Sequence, residues 1–504
     1  MGSKKKKKDP AKELAKKQRK AAKQDKCANK RDTKAGRADE QQDLAQLIAQ
    51  QRAKDLERTE VTTTKIEEDQ KFAPRCNATL TNLGDDLYLF GGESTKDDQT
   101  AVLNDLYRFR AAKNEWYRVE SLNTPSPRCS HQAVALNDSL YVFGGEFATL
   151  SQFYHYRDLW KLDSKTLAWE LIKPCTKASP SARSGHRCLA WRGKILVFGG
   201  FYKASQDQNA VFVNDTWLYS PQHNEWRPLK FTDAPGAAKP PLRSGCVLAP
   251  SVDFSVLVWG GYSEIKCDNM VKARGKPHTD SWELKIADPW DGGMEVSSWA
   301  RVKLGGSIGG SAPSPRCGIT SAARNDDTHV FGGVYDVDGE GLTTESTFYD
   351  DHYVLDTTKK RWKRRDAIID QDPDLPPPPP RAWDRKALQA SLVAPSVTPP
   401  PRIGACCAVA GKVLYVLGGT LEVGDKELAL DDFWCRDSRK KDAPWTRLVA
   451  GTMSKRSAHW NAEDSDKEED LDEEEDLGAT SSDSDSEATA EEEKKEEKRD
   501  QWTR

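Results

Sequence analysis

Six arginines, Arg75, Arg128, Arg183, Arg243, Arg316 and Arg402, each stand sixteen or seventeen residues before a glycine pair. A guanidinium is planar, always charged and forked, so the chemistry it offers is a two-pronged grip on a carboxylate. The alternative employment is structural, with the arginines holding adjacent units together through backbone carbonyls. A second set of candidates follows the glycine pairs: Phe147, Tyr154 and Tyr156 in EFATLSQFYHY, then Phe201 with Tyr202, Tyr262 and Tyr335. Strands do not need these aromatics there, and aromatics beside arginines are the composition of a protein-binding surface. The competing reading is that each packs over the edge of its own unit.

Catalytic and metal chemistry find no comparable pattern. The eleven cysteines are scattered without a CxxC, and the eight histidines keep no metal-site spacing to any of them. Cys76, Cys129 and Cys317 recur at one repeat position, which predicts packed thiols and no disulfide framework. Nucleophile elbow, P-loop and paired-acid constellations are all missing from the sequence, so the reading is of a chain that is not an enzyme and holds no cofactor and no metal.

The elements that must position these residues are spelled out six times. LYLFGG at 87–92, LYVFGG at 140–145, ILVFGG at 195–200, VLVWGG at 256–261, HVFGG at 329–333 and LYVLGG at 414–419 are short apolar runs that end on two glycines. Thirteen to nineteen residues later comes an acidic residue closely followed by an aromatic: DLY at 105, DLW at 158, DTW at 215, DSW at 280, DHY at 351 and DFW at 432. Eleven residues further on stand Trp116, Trp169, Trp226 and Trp362, with Trp299 and Trp445 taking the role after longer spacers. Each unit therefore reads as four short strands of one blade, at a period of roughly 50 residues, and the apolar run is the second strand.

In these features the chain resembles the kelch-repeat family across 75–450. The likeness is closer still to its kelch domain-containing members, through QFYHYRDLW at 152–160, RSGHR at 183–187, GGYS at 260–263 and DLAQLIAQ after a lysine-rich head. The resemblance implies an all-β, six-bladed β-propeller over 61–450, and a scaffold with no reaction of its own. It also implies that arginines at this repeat position can face the central channel and grip an acidic peptide. Ring closure has two routes: direct contact between blades, or pairing of Val61–Ile66 (VTTTKI) with the last blade. The kelch-fold copper oxidases need a Tyr, His and Cys set that has no match here.

The period is broken by long spacers at 262–279 and 334–350 and by a proline-rich insertion at 370–400, whose LPPPPPR contains PxxPxR. That motif reads as a solvated loop or as a polyproline ligand. Charge is segregated: residues 1–58 hold 19 Lys plus Arg against 9 Asp plus Glu, and 463–500 hold 5 against 20. The expectations are a disordered basic head over 1–40, a short amphipathic helix over 41–58 and a disordered acidic tail over 455–504. The head suits nonspecific nucleic-acid or importin contact. Ser482 and Ser484 suit an acidophilic kinase, and the tail could bind the head in cis. No run approaches the ~20 apolar residues that span a bilayer, so the reading is a monomeric, cytoplasmic or nuclear scaffold that binds a protein at the channel mouth. The alternative is a substrate receptor of a cullin-type ubiquitin ligase.

Overall fold

The computed structural model describes residues 60–452, apart from 68–71, 97–98, 149–152, 204–208, 233–237, 266–273, 293–295, 307–311, 339–343, 366–397 and 424–425. The basic head, the helix over 41–58, most of the proline-rich insertion, the acidic tail, Ser482 and Ser484 lie outside the described residues.

Six antiparallel sheets of four strands follow one another as blades 1 to 6, spanning 79–120, 132–172, 187–228, 247–302, 320–364 and 406–449. In blade 2 the strands run Gln132–Leu136, Ser139–Phe143, Leu159–Asp163 and Trp169–Ile172, paired in chain order from the channel outward. Its second strand shows why the repeated phrase is apolar at every position. Leu140 and Val142 enter the core shared with blade 1, while Tyr141 and Phe143 enter the core shared with blade 3. Alternate side chains point to opposite faces of a strand, and in a blade both faces are buried.

One such core fills each seam, and each is fixed by the tryptophan of the outermost strand reaching back to the preceding blade. Trp169 meets Phe90 at 5.0 Å, Trp226 meets Phe143 at 5.2 Å, Trp299 meets Phe198 at 5.3 Å, Trp362 meets Trp259 at 5.0 Å and Trp445 meets Phe331 at 5.6 Å. Blade 1 repeats the device against blade 6, with Trp116 5.2 Å from Phe433.

The ring closes by direct contact of blades 6 and 1, through Gly419 N–H to Arg75 O at 2.8 Å and Asn77 N–H to Gly404 O at 2.8 Å. Pairing of Val61–Ile66 with the last blade is therefore corrected. Thr62–Lys65 pairs with Glu115–Glu120, the outermost strand of blade 1, and becomes its exposed fifth strand. The physical reason is position, since closure uses the channel side of blade 1 while this strand lies at its rim. A chain lacking residues 1–66 is expected to keep the ring, with a melting temperature lowered by less than about 5 °C. Loss of cooperative unfolding in calorimetry would show that the strand closes the ring after all.

The histidines serve packing. Burial lowers His131 to about 3 and His155 and His329 to about 4, with nearby cations adding to the effect. A histidine depressed in the fold is neutral there and takes up its proton on unfolding, so its contribution is complete above the unfolded value and is lost as pH falls through 6.5 toward 4. At pH 5.5 each of the three is expected to forfeit roughly 1.4 kcal/mol. Glu146, raised to about 7, works in the opposite sense and offsets about one of them. The urea midpoint should thus fall between pH 7 and pH 5.5, and a midpoint that rises would contradict the buried, neutral imidazoles.

Candidate functional site

Both glycines of each pair sit in the left-handed region, as Gly144 at φ 64° and Gly145 at φ 96° do in blade 2. A Cβ on Gly144 would fall 2.7 Å from Arg183 O of blade 3, and Gly145 N–H donates to that same carbonyl at 2.9 Å. The pair is what lets one blade's second strand touch the next blade's arginine backbone.

The arginine side chain turns inward. Arg128 is fully buried and donates from Nη1 and Nη2 to the two carboxylate oxygens of Asp158 at 2.8 and 3.0 Å. Its remaining donors reach Gly144 O at 3.0 Å and Ser126 O at 3.1 Å. The same fork recurs as Arg75 with Asp105, Arg183 with Asp215, Arg243 with Asp280, Arg316 with Asp351 and Arg402 with Asp432. Burial alone would lower Arg75 and Arg128, yet the paired aspartates outweigh it and hold both above the usual value. Burial likewise raises the Asp215 and Asp280 carboxyls, and the arginine bonds bring both below the usual range. None of the six guanidiniums is offered to solvent, and the side chains do not tie adjacent blades through carbonyls as the structural alternative expected: each fork is spent on an aspartate and two carbonyls of its own blade.

These six aspartates are the partners that the sequence left without a role. Four also accept the indole N–H two residues on, at Trp160, Trp217, Trp282 and Trp434.

Between each glycine pair and its aspartate the chain forms a two-stranded hairpin, so six hairpins crown one end of the channel. The aromatics expected at this mouth divide. Phe147 and Tyr154 face each other across the blade 2 hairpin, half-buried and 42% exposed respectively. Tyr202, half-buried, pairs with the exposed Val211 in blade 3. Phe201 and Tyr262 are half-buried and joined through Phe212, at ring separations of 5.6 and 6.0 Å, into an arc over hairpins 3 and 4. Tyr335 is half-buried in hairpin 5, opposite Thr347. Tyr156 is turned inward: it is 3% exposed, donates its hydroxyl to Pro127 O at 2.9 Å and lies 4.1 Å from the Arg128 guanidinium.

Acids stand at the mouth as well, in hairpins 1, 2 and 6. Glu93 and Glu146 directly follow their glycine pairs, and Glu422 and Glu427 lie in hairpin 6. Glu93 accepts from Asn77 Nδ2 at 2.7 Å, and Glu146 from Ser184 Oγ at 3.0 Å. Among the described residues no lysine or arginine forms an ion pair with Glu93, Glu146 or Glu427. Burial pushes Glu146 up to about 7 against the bond from Ser184, with Glu93 adding to the rise, and burial followed by the charges of Glu93 and Glu422 raises Glu427. The sequence signal was the acid immediately after the first two glycine pairs, which in isolation reads as an ordinary loop residue. Among the described residues no group of three or more His, Cys, Asp or Glu side chains is placed to hold a metal, and no helix is long and apolar enough to cross a membrane.

Six four-stranded blades, the buried arginine forks and the seam tryptophans define a β-propeller of the kelch type. A profile of the KLHDC2/KLHL20/DRC7 Kelch-repeats domain matches residues 77–288. Human kelch domain-containing protein 3 is 26% identical over 207 residues, 38% of this chain and 51% of its own length. Human host cell factor 2 is 23% identical over 395 residues, 74% of this chain and 43% of its own. The N-(sulfonatooxy)prop-2-enimidothioate sulfolyase of Thlaspi arvense is 25% identical over 296 residues, 58% of this chain and 79% of its own. The chain thus spans about half or less of two of these relatives. The solved structure of YjhT matches 76% of this chain and 99% of its own with a TM-score of 0.50 at 15% identity, a likeness of fold alone. The chain is a kelch-repeat protein that resembles the kelch domain-containing proteins.

Proposed function

We propose that this protein is a non-catalytic interaction scaffold that holds a segment of a protein partner at the hairpin end of the ring, and that the segment carries lysine or arginine side chains. One observation carries the reading: all six guanidiniums are neutralised by aspartates inside the blades, while among the described residues Glu93, Glu146 and Glu427 stand at the mouth without an ion pair to any lysine or arginine. The acidic peptide expected from the arginines is thereby replaced by a basic one. Carboxylates bind an arginine through charge-assisted forks, and the aromatic arc beside them adds apolar contact and a face for a cation. Tyr154 and Val211, 42% and 46% exposed, supply the rest of a contact surface over blades 2 and 3.

The full chain is to be purified from cells beside a Glu93→Gln, Glu146→Gln variant and a Tyr154→Ala, Val211→Ser variant, and the bound proteins compared by mass spectrometry. Partners lost from both folded variants support the mouth as the site. An unchanged partner list from both variants would overturn it. Cullin or elongin among the mouth-dependent partners would add the ligase-receptor reading.

A further inference from the structure

Five of the six seams are stitched beside the channel by the same three backbone hydrogen bonds. The second glycine of one blade donates to the next blade's arginine carbonyl: Gly92 to Arg128, Gly145 to Arg183, Gly200 to Arg243, Gly333 to Arg402 and Gly419 to Arg75, at 2.8–2.9 Å. That arginine's N–H donates back, as from Arg128 to Leu103 O at 3.0 Å and from Arg183 to Tyr156 O at 3.1 Å. Two residues beyond it, a left-handed residue donates to its equivalent in the preceding blade, as in Ser130 to Asn77 at 2.8 Å, Gly245 to Gly185 at 2.7 Å and Gly404 to Gly318 at 3.1 Å.

Between blades 4 and 5 none of the three forms, although Gly261, His278, Arg316, Gly245 and Gly318 are all described. The separation is measurable in a second way. A Cβ on the first glycine would fall 2.5–2.7 Å from the next arginine's carbonyl at Gly91, Gly144, Gly199, Gly332 and Gly418, whereas Gly260 has no atom of blade 5 within 4 Å. The side-chain core of this seam is retained, with Trp259 and Trp362 at 5.0 Å, so the blades part on the channel side while their cores stay packed.

Arg187 spans the gap. It lies on the innermost strand of blade 3 and donates from Nε to Cys246 O of blade 4 at 2.8 Å and from Nη2 to Ile319 O of blade 5 at 3.3 Å. Its equivalents are Thr79, Gln132, Val247, Thr320 and Cys406, none of them a cation. A buried backbone donor without an acceptor is costly, and two-sided packing without a ladder is the property of a joint. We propose that the seam between blades 4 and 5 is the compliant joint of the ring, opening and closing beside the hairpins that carry Tyr262 and Tyr335, with Arg187 as its latch. The joint does not depend on the mouth's choice of partner.

Hydrogen exchange of the full chain, read at single amides, tests this without any substitution. Gly261 is expected to exchange at least tenfold faster than Gly145, Gly200, Gly333 and Gly419. Arg187→Ala should speed exchange further at 245–262 and 314–320 only, with Arg187→Lys, which keeps the charge and loses the fork, falling between. Equal protection of Gly261 and its four counterparts would overturn the joint. Acceleration of all six seams alike by Arg187→Ala would overturn the latch.

Discussion

Asp432→Ala should cost about 3–5 kcal/mol of stability, because it strands a charge that the fold has removed from water. Arg402 is 1% exposed and gives Asp432 two bonds of 2.7 Å each, and the Trp434 indole donates to the same carboxylate at 2.7 Å. After the substitution only the bonds to Gly418 O and Pro400 O remain to the guanidinium. Ordinary domains hold only about 5–15 kcal/mol in all, so the loss should appear as a large fall in the urea midpoint. Lys65→Ala sets the contrast, since the Lys65–Glu115 pair is open to solvent, at 48% and 26%, and its loss should barely move the midpoint. Replacing both partners, as Arg402→Met with Asp432→Leu, should recover much of the loss, because no unpaired charge is then buried. A single substitution as mild as Lys65→Ala would show that the forks are not the ring's internal electrostatic ties.

Gly418→Ala and Gly260→Ala should differ sharply although both replace the first glycine of a pair. Gly418 sits at φ 61° and an added Cβ meets Arg75 O at 2.5 Å, at the seam where the ring closes. Its cost combines left-handed strain of about 1–2 kcal/mol with displacement of close-packed backbone, about 1–3 kcal/mol. Gly260 has φ 68° but nothing nearer than His278 O at 3.4 Å, so only the strain applies. Equal urea midpoints for the two variants would mean that conformation alone explains the glycine pairs.

What the sequence showed was whatever recurs at nearly fixed spacing. The arginine, the second strand and the glycine pair lie on one side of the hairpin and keep their separations from unit to unit, and on its other side the aspartate and the seam tryptophan stand eleven residues apart in four of the six units. The arginine–aspartate pairing was hidden because hairpins of unequal length intervene, and the separation runs from 30 residues for Arg75 and Asp105 to 37 for Arg243 and Asp280. The hairpins themselves escaped notice because ESTK and QTAV, like YSEI and RGKP, lack the apolar alternation of a half-buried strand. Tyr156 reads like its neighbour Tyr154, and only the fold distinguishes a ring laid on Arg128 from one left in solvent. Arg187 stood in RSGHR beside Arg183 without any mark of its different role, because what it bridges lies in two other blades.

The most direct test of the account is a selection of displayed random peptides on the purified full chain at physiological salt. Lysine- and arginine-bearing sequences should be enriched, and their binding should fall at least tenfold with Glu93→Gln, Glu146→Gln. Enrichment of acidic peptides would contradict a carboxylate mouth and return the arginines to the centre of the question.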